Sequence, residues 1–133
     1  WNLVDNKELC YHWLGDFDRR MLEVVKSQRN FQNTPVTEIW HNDGDQVLCF
    51  MRGDLVFVFN FSPTHSYTDY GFLVPTGSYE VVLNTDAKEF GGNGFADDTM
   101  THMTNYDELY VKDLKEWLKL YLPARSAVVL RKL

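Results

Sequence analysis

Seven consecutive residues, Leu55-Val56-Phe57-Val58-Phe59-Asn60-Phe61, contain a single polar side chain, and Gly53-Asp54 and Pro63 bracket them. The run is too short for a stable helix and is made of β-branched and aromatic residues, so it reads as a strand. Apolar residues at both odd and even positions mean that both of its faces are covered. The strand therefore lies in the middle of a sheet, with another sheet against one face and something else against the other.

The flanking sequence supplies candidates for both covers. Val36 to His41 and Gln46 to Arg52 read as strands, separated by the turn cluster Asn42-Asp43-Gly44-Asp45, and Gly53-Asp54 is a two-residue hairpin signal. Tyr67 to Leu73 reads as short and irregular, and Ser78 to Leu83 as a strand. Trp117 to Leu122 alternates strictly, with Leu118, Leu120 and Leu122 on one face and Trp117, Lys119 and Tyr121 on the other. Pro123-Ala124-Arg125 turns the chain into a last strand, Ser126 to Leu130. Between them, 84–104 is a polar, glycine-bearing loop of a length usually reserved for function or for packing on a neighbour. Upstream, Leu14, Phe17, Met21 and Val24 or Val25 recur at helical spacing, with a break expected at Gly15 and Asp16 capping the second of two helices. The fold class is mainly β: an antiparallel β-sandwich of six to eight strands over 35–133, preceded by a helical lead-in over 1–34.

A chain of 133 residues suits one domain with a real core. Its net charge of −6 excludes the basic footprint of a nucleic-acid partner or an anionic membrane surface. No apolar run approaches the roughly 20 residues of a membrane helix. Cys10 and Cys49 show no CxxC spacing and read as reduced, core-type thiols, with a disulfide as the less favoured alternative. The opening Trp1-Asn2-Leu3-Val4 reads as a boundary inside a larger protein, because those side chains need a surface to pack on.

Several stretches then become specific. Phe57-Val58-Phe59-Asn60-Phe61-Ser62-Pro63, followed by Ser66-Tyr67-Thr68-Asp69-Tyr70, resembles the "FxFNFxP…SYTDY" pattern of the C-terminal domain of 1,4-α-glucan (glycogen or starch) branching enzymes, in the α-amylase superfamily. Asn84 to Gly92 resembles that family's acidic loop ending in "(F/Y)GG", and Leu120 to Ala127 its closing "(Y/L)xPxR.A" hairpin. Leu14-Gly15-Asp16-Phe17-Asp18-Arg19 is similar to its "L..FDR" helix near the end of the catalytic barrel, and Trp1 to Asn6 to the "W.LVDN" segment before it. Gly71 and Ser62 depart from the basic residue and the histidine common there, and 95–106 matches nothing in the pattern.

The resemblance implies a parent enzyme that cleaves an α-1,4 link, holds the glucan on a carboxylate and passes it to a 6-hydroxyl. That retaining chemistry needs two carboxyl groups about 5–5.5 Å apart, at the ends of barrel strands. No such barrel fits in this chain, so it is expected to be inactive alone. It is expected to have the catalytic barrel of the same polypeptide and α-glucan as partners, a cytoplasmic location and no cofactor. A free-standing carbohydrate-binding module is the alternative; a protein-interaction sandwich has no positive sign in the sequence.

The residues themselves give no catalytic or metal site. Asp97-Asp98 and Asp16/Asp18 are expected to be solvated or capping. His12, His41, His65 and His102 lack ligand spacing. Ser66 beside His65 lacks a nucleophile elbow. Gly91-Gly92-Asn93-Gly94 lacks the lysine of a phosphate loop. Glucan contact is the one functional use the side chains suggest. A sugar's C–H face stacks on aromatic rings, and Trp117 and Tyr121, sharing a face with Lys119, are the first candidates, followed by Trp40 beside Glu38 and His41. The competing reading is that these rings pack on neighbouring polypeptide. Phe61, Tyr67, Tyr70 and Trp13 are expected at the seam with the barrel. Asp69 is placed there too, holding backbone N–H groups of its own turn.

Overall fold

The computed structural model describes residues 10–106 and 115–133. Trp1 to Asn6, Leu9 and the start of the helical lead-in lie outside them. One continuous helix, α1 (Tyr11–Lys26), leads into a 3-10 turn (Phe31–Asn33) and then into strands β1 (Val36–Asn42), β2 (Val47–Arg52) and β3 (Leu55–Asn60). There follow β4 (Tyr67–Phe72), β5 (Ser78–Asn84), a 3-10 turn (Lys88–Phe90), β6 (Thr101–Met103), β7 (Asn105–Tyr106), β8 (Glu116–Leu122) and β9 (Ser126–Lys132). All pairings among the described residues are antiparallel. One sheet runs β1-β2-β3-β9-β5-β6 and the other β4-β8-β7, the last a two-residue strand. The expected mainly-β antiparallel sandwich with a helix before it is the fold observed.

Two local readings are corrected. Gly15 does not split the helix, and Cys10, not Asp16, stands at the N-cap. A glycine inside a helix costs only about 1 kcal/mol, and Asp16 has its own partner one turn on, Arg19 at 3.2 Å. The segment from Tyr67, read as irregular, is strand β4, and what disguised it is a bulge described below.

The core lies between the sheets. Cys49, Val56, Val58, Tyr79 and Leu130 from the larger sheet meet Phe72, Leu118, Leu120 and Leu122 from the smaller. Full burial of each is worth roughly 1.5–3 kcal/mol. The alternation read along β8 holds: its leucines point in, while Lys119 and Tyr121 are exposed. On the other side of the larger sheet, α1 lays Phe17 and Val24 over Leu55, Leu83 and Val129. Phe17 meets Phe90 edge-on at 5.3 Å, and Phe31 packs on Phe57. The "something else" over the central strand is thus α1 and the turn after it.

Two polar side chains fasten the loops. Asn60, 2% exposed, accepts the Ser62 N–H and donates its amide to the carbonyls of His65, Leu122 and Pro123 at 2.9–3.2 Å. It joins the end of β3 to the β8–β9 hairpin, so the single polar residue of the apolar run is structural. Asp86 accepts the N–H groups of Asn93, Phe95 and Ala96 at 3.2, 2.7 and 3.1 Å, folding the long loop around one carboxylate. A Cβ at Gly92 would sit 2.2 Å from the Asp86 carbonyl oxygen, so that turn admits only glycine. Cys49 is a buried, free thiol as expected, and burial pushes it up to about 12; Cys10, also free, is exposed and not core-type.

A candidate aromatic groove between two sheet edges

β1 is an edge of the larger sheet and β4 an edge of the smaller. Each carries one bulge. In β1 the register passes from Glu38↔Phe50 to Trp40↔Cys49, two steps on one strand against one on the other, so Ile39 is the extra residue. Unbulged, Trp40 would share the outer face with Glu38; with the bulge it turns to the inner side. In β4 the register passes from Tyr67↔Leu122 to Tyr70↔Leu120. Three residues there oppose two, so Tyr67 and Tyr70, at odd spacing, fall on the same face. Asp69 takes the left-handed backbone that this bulge needs, with φ 52°.

The two bulges aim both edges at one cleft of about 680 Å³. Trp40 and Ile39 line one side and Tyr67 to Leu73 the other, with Trp117, Lys115 and Lys119 completing it. Trp117 lies across Gly71, where a Cβ would meet the indole ring in ordinary van der Waals contact, at 3.4 Å. The Trp40 Nε1–H donates to the Tyr70 hydroxyl at 3.0 Å, and that hydroxyl donates to Asp45 Oδ2 at 2.8 Å. The Tyr67 hydroxyl donates to the Asp45 carbonyl at 2.8 Å. Burial raises the Tyr70 hydroxyl above its ordinary pKa; the Trp40 bond pulls the other way and Asp45 adds to the rise. It stays protonated, a hydrogen-bonding group and not a base.

The structure therefore brings together Trp40, Trp117, Tyr67, Asp69 and Tyr70. It does not bring in Tyr121, which lies four residues along β8 beside Met100 and His102. Phe61 is exposed on the outer side of the larger sheet, stacked on Phe59 at 5.5 Å, and Trp13 sits over Gly91. The five residues expected at a seam thus divide between two surfaces. Trp40 does not work with Glu38 and His41, which pair with each other on the opposite face. The Asp69 carboxylate makes no hydrogen bond to a described residue and opens onto the cleft; the carboxylate that serves the tyrosines is Asp45. Sequence reasoning missed Asp45, although its place in the turn before β2 was visible. Asp97 is exposed and accepts the Thr99 N–H and hydroxyl, which lower its pKa.

Rings on opposite walls with a carboxylate and two ammonium groups at the rim make a contact surface. They can stack on a flat apolar face and hydrogen-bond its hydroxyl edge. Among the described residues no group of three or more His, Cys, Asp or Glu converges as a metal site, and no helix is long and apolar enough to cross a membrane.

Comparison with known proteins matches residues 39–132 to the α-amylase C-terminal all-β domain. The chain is 38% identical over 131 residues to the 1,4-α-glucan-branching enzyme of Candida glabrata, covering 97% of this chain and 18% of that enzyme. It is 37% identical over the same length to that of Saccharomyces cerevisiae. To the chloroplastic/amyloplastic 1,4-α-glucan-branching enzyme 1 of Pisum sativum it is 44% identical over 96 residues, which are 71% of this chain and 12% of the pea enzyme. The chain spans less than a fifth of the length of these curated relatives. It belongs to the α-amylase C-terminal all-β domain family, as the homologue of a region of 1,4-α-glucan branching enzymes.

Proposed function

We propose that this chain is the non-catalytic C-terminal domain of an enzyme that forms α-1,6 branches in glycogen or starch, and that its groove holds α-glucan. The observation that carries the glucan contact is the pair of bulges. One on each edge strand turns Trp40 and Tyr70 into the cleft that Trp117 lines. Bulges commonly re-aim side chains at functional positions. Glucose offers its C–H face to such rings and its hydroxyls to Asp69, Lys115 and Lys119. A neutral polymer is not repelled by a chain of net charge −6.

A second surface serves the parent's barrel. Leu14, Met21 and Leu22 of α1 stand exposed, as does Phe61 on the outer face of the larger sheet. Polypeptide making up most of the relatives' length would cover them, stabilising both parts at roughly 25 cal/mol per Å² of apolar area. In this reading residues 1–34 are the tail of the barrel domain, 35–133 the accessory sandwich, and the parent is cytoplasmic. The catalytic carboxylates then lie in the barrel, and this chain alone creates no α-1,6 links.

Affinity electrophoresis in glycogen gels tests the groove. The chain is expected to be retarded, with Trp117→Ala and Trp40→Ala each weakening binding roughly tenfold, about the worth of one stacked ring. Tyr121→Ala, outside the groove, is expected to bind as wild type. Equal mobility of all forms with and without glycogen removes the glucan reading. A loss confined to Tyr121→Ala moves the contact to the outer face of β8.

A further inference from the structure

We infer that Asp45 is a positioning residue of the groove: through Tyr70 it holds the Trp40 indole in one orientation, so that this wall is set before any ligand arrives. The use of that wall rests on the glucan reading above, but its geometry does not. Asp45 is not among the residues lining the cleft and acts only through another side chain.

The direction of the hydrogen bonds leaves one arrangement. An indole N–H can only donate and an ionised carboxylate can only accept. The hydroxyl between them must turn its lone pair to Trp40 and its proton to Asp45. Each bond polarises the next, and the one to the carboxylate is charge-assisted. The anchor is itself fixed. The Asp45 N–H donates to Asn42 Oδ1 at 2.9 Å, and its carbonyl accepts the Tyr67 hydroxyl. Gln46, next in the turn, has φ 58° and accepts the Phe61 N–H at 2.8 Å. The Tyr70 ring is held between Tyr67 at 5.3 Å and Phe72 at 5.2 Å. Trp40, by contrast, is 46% exposed on an edge strand. An indole so exposed samples several rotamers unless something holds it, and ordering it during binding would weaken affinity. The chain of bonds also crosses from the larger sheet to the smaller and back to the β1–β2 turn, so it fixes the width of the cleft.

The test uses the whole chain and two readouts: hydrogen exchange of the Trp40 indole N–H by NMR, with the Trp117 indole as internal reference, and glycogen-gel affinity. Tyr70→Phe and Asp45→Ala are each expected to speed Trp40 exchange and to weaken glycogen binding by about five- to tenfold, the worth of one hydrogen bond. Asp45→Asn keeps an acceptor oxygen and is expected to restore most of both. Thermal melts identify any variant that fails to fold, and Tyr70→Phe, which keeps its ring, then carries the test. Wild-type exchange at Trp40 in Tyr70→Phe overturns the inference whatever glycogen does. Faster exchange in Asp45→Ala without loss of a glycogen affinity that Trp117→Ala abolishes also overturns it. Faster exchange when no variant, Trp117→Ala included, alters mobility in glycogen upholds the positioning and removes only the glucan reading.

Discussion

The two faces of the larger sheet are built from equally apolar sequence and end in different states. Along β3 the inward residues Val56, Val58 and Asn60 are at most 2% exposed. The outward ones grade from Leu55, fully buried under α1, through half-buried Phe57 and Phe59 to Phe61 at 59%. The inner face is closed by the chain's own second sheet, and the outer face only as far as α1 and the turn after it reach. Hydrophobicity along a strand therefore reports that a face is to be covered, but not by what.

The inner face should be intolerant of change. Asn60→Leu is expected to cost the most, about 4 kcal/mol, since it leaves the Ser62 N–H and three carbonyls without the amide that joined them. Chemical denaturation measures it, and a loss under about 1 kcal/mol means that water replaces the amide and that the inner face is less closed than described. Leu130→Ala should follow at about 3 kcal/mol, as a cavity at a fully buried position. Phe61→Ser on the outer face should change the isolated chain by about 0.5 kcal/mol or less. Equal losses at Leu130 and Phe61 would erase the distinction between the faces.

The same contrast explains how far the sequence could be read. Periodicity carries over wherever strand and face stay in step: the two-residue turn at Gly53-Asp54, the leucines of β8 and the double cover of β3 all follow from it. It fails at Ile39 and Asp69, because one inserted residue moves every later side chain to the other face with no change in composition. That is why alternation puts Trp40 on the face of Glu38, when the bulge gives that face to His41 instead, and why β4 reads as irregular. The family pattern marked Asn60, Asp69 and Tyr70 without their roles. Asp45 lies outside the residues that carried the resemblance, and its link to Tyr70 spans 25 residues, beyond any local rule.

Two histidines give the smallest expected effect and sample both faces. His41 lies on the outer side of β1, where the hydrogen bond its ring donates to Glu38, and the charge of that carboxylate, raise the imidazole above 6.5. His102 lies opposite Tyr79 on the inner side, where burial lowers it despite the nearby charge of Asp97. The raised group contributes stability that is complete below 6.5 and is lost as pH rises through its folded value. The lowered group contributes stability that is present above 6.5 and is lost as pH falls through its folded value. The two losses fall on opposite sides of 6.5, so together they give the melting temperature a shallow maximum there while the separate titrations move apart. NMR titration should place the His41 midpoint above 6.5 and that of His102 below it. Glu38→Gln should bring His41 down and leave His102 unmoved, because the first shift comes from a surface partner and the second from the closed interior. A common midpoint for the two rings would mean that the sheet's inner edge at β6 is as open to water as its outer face.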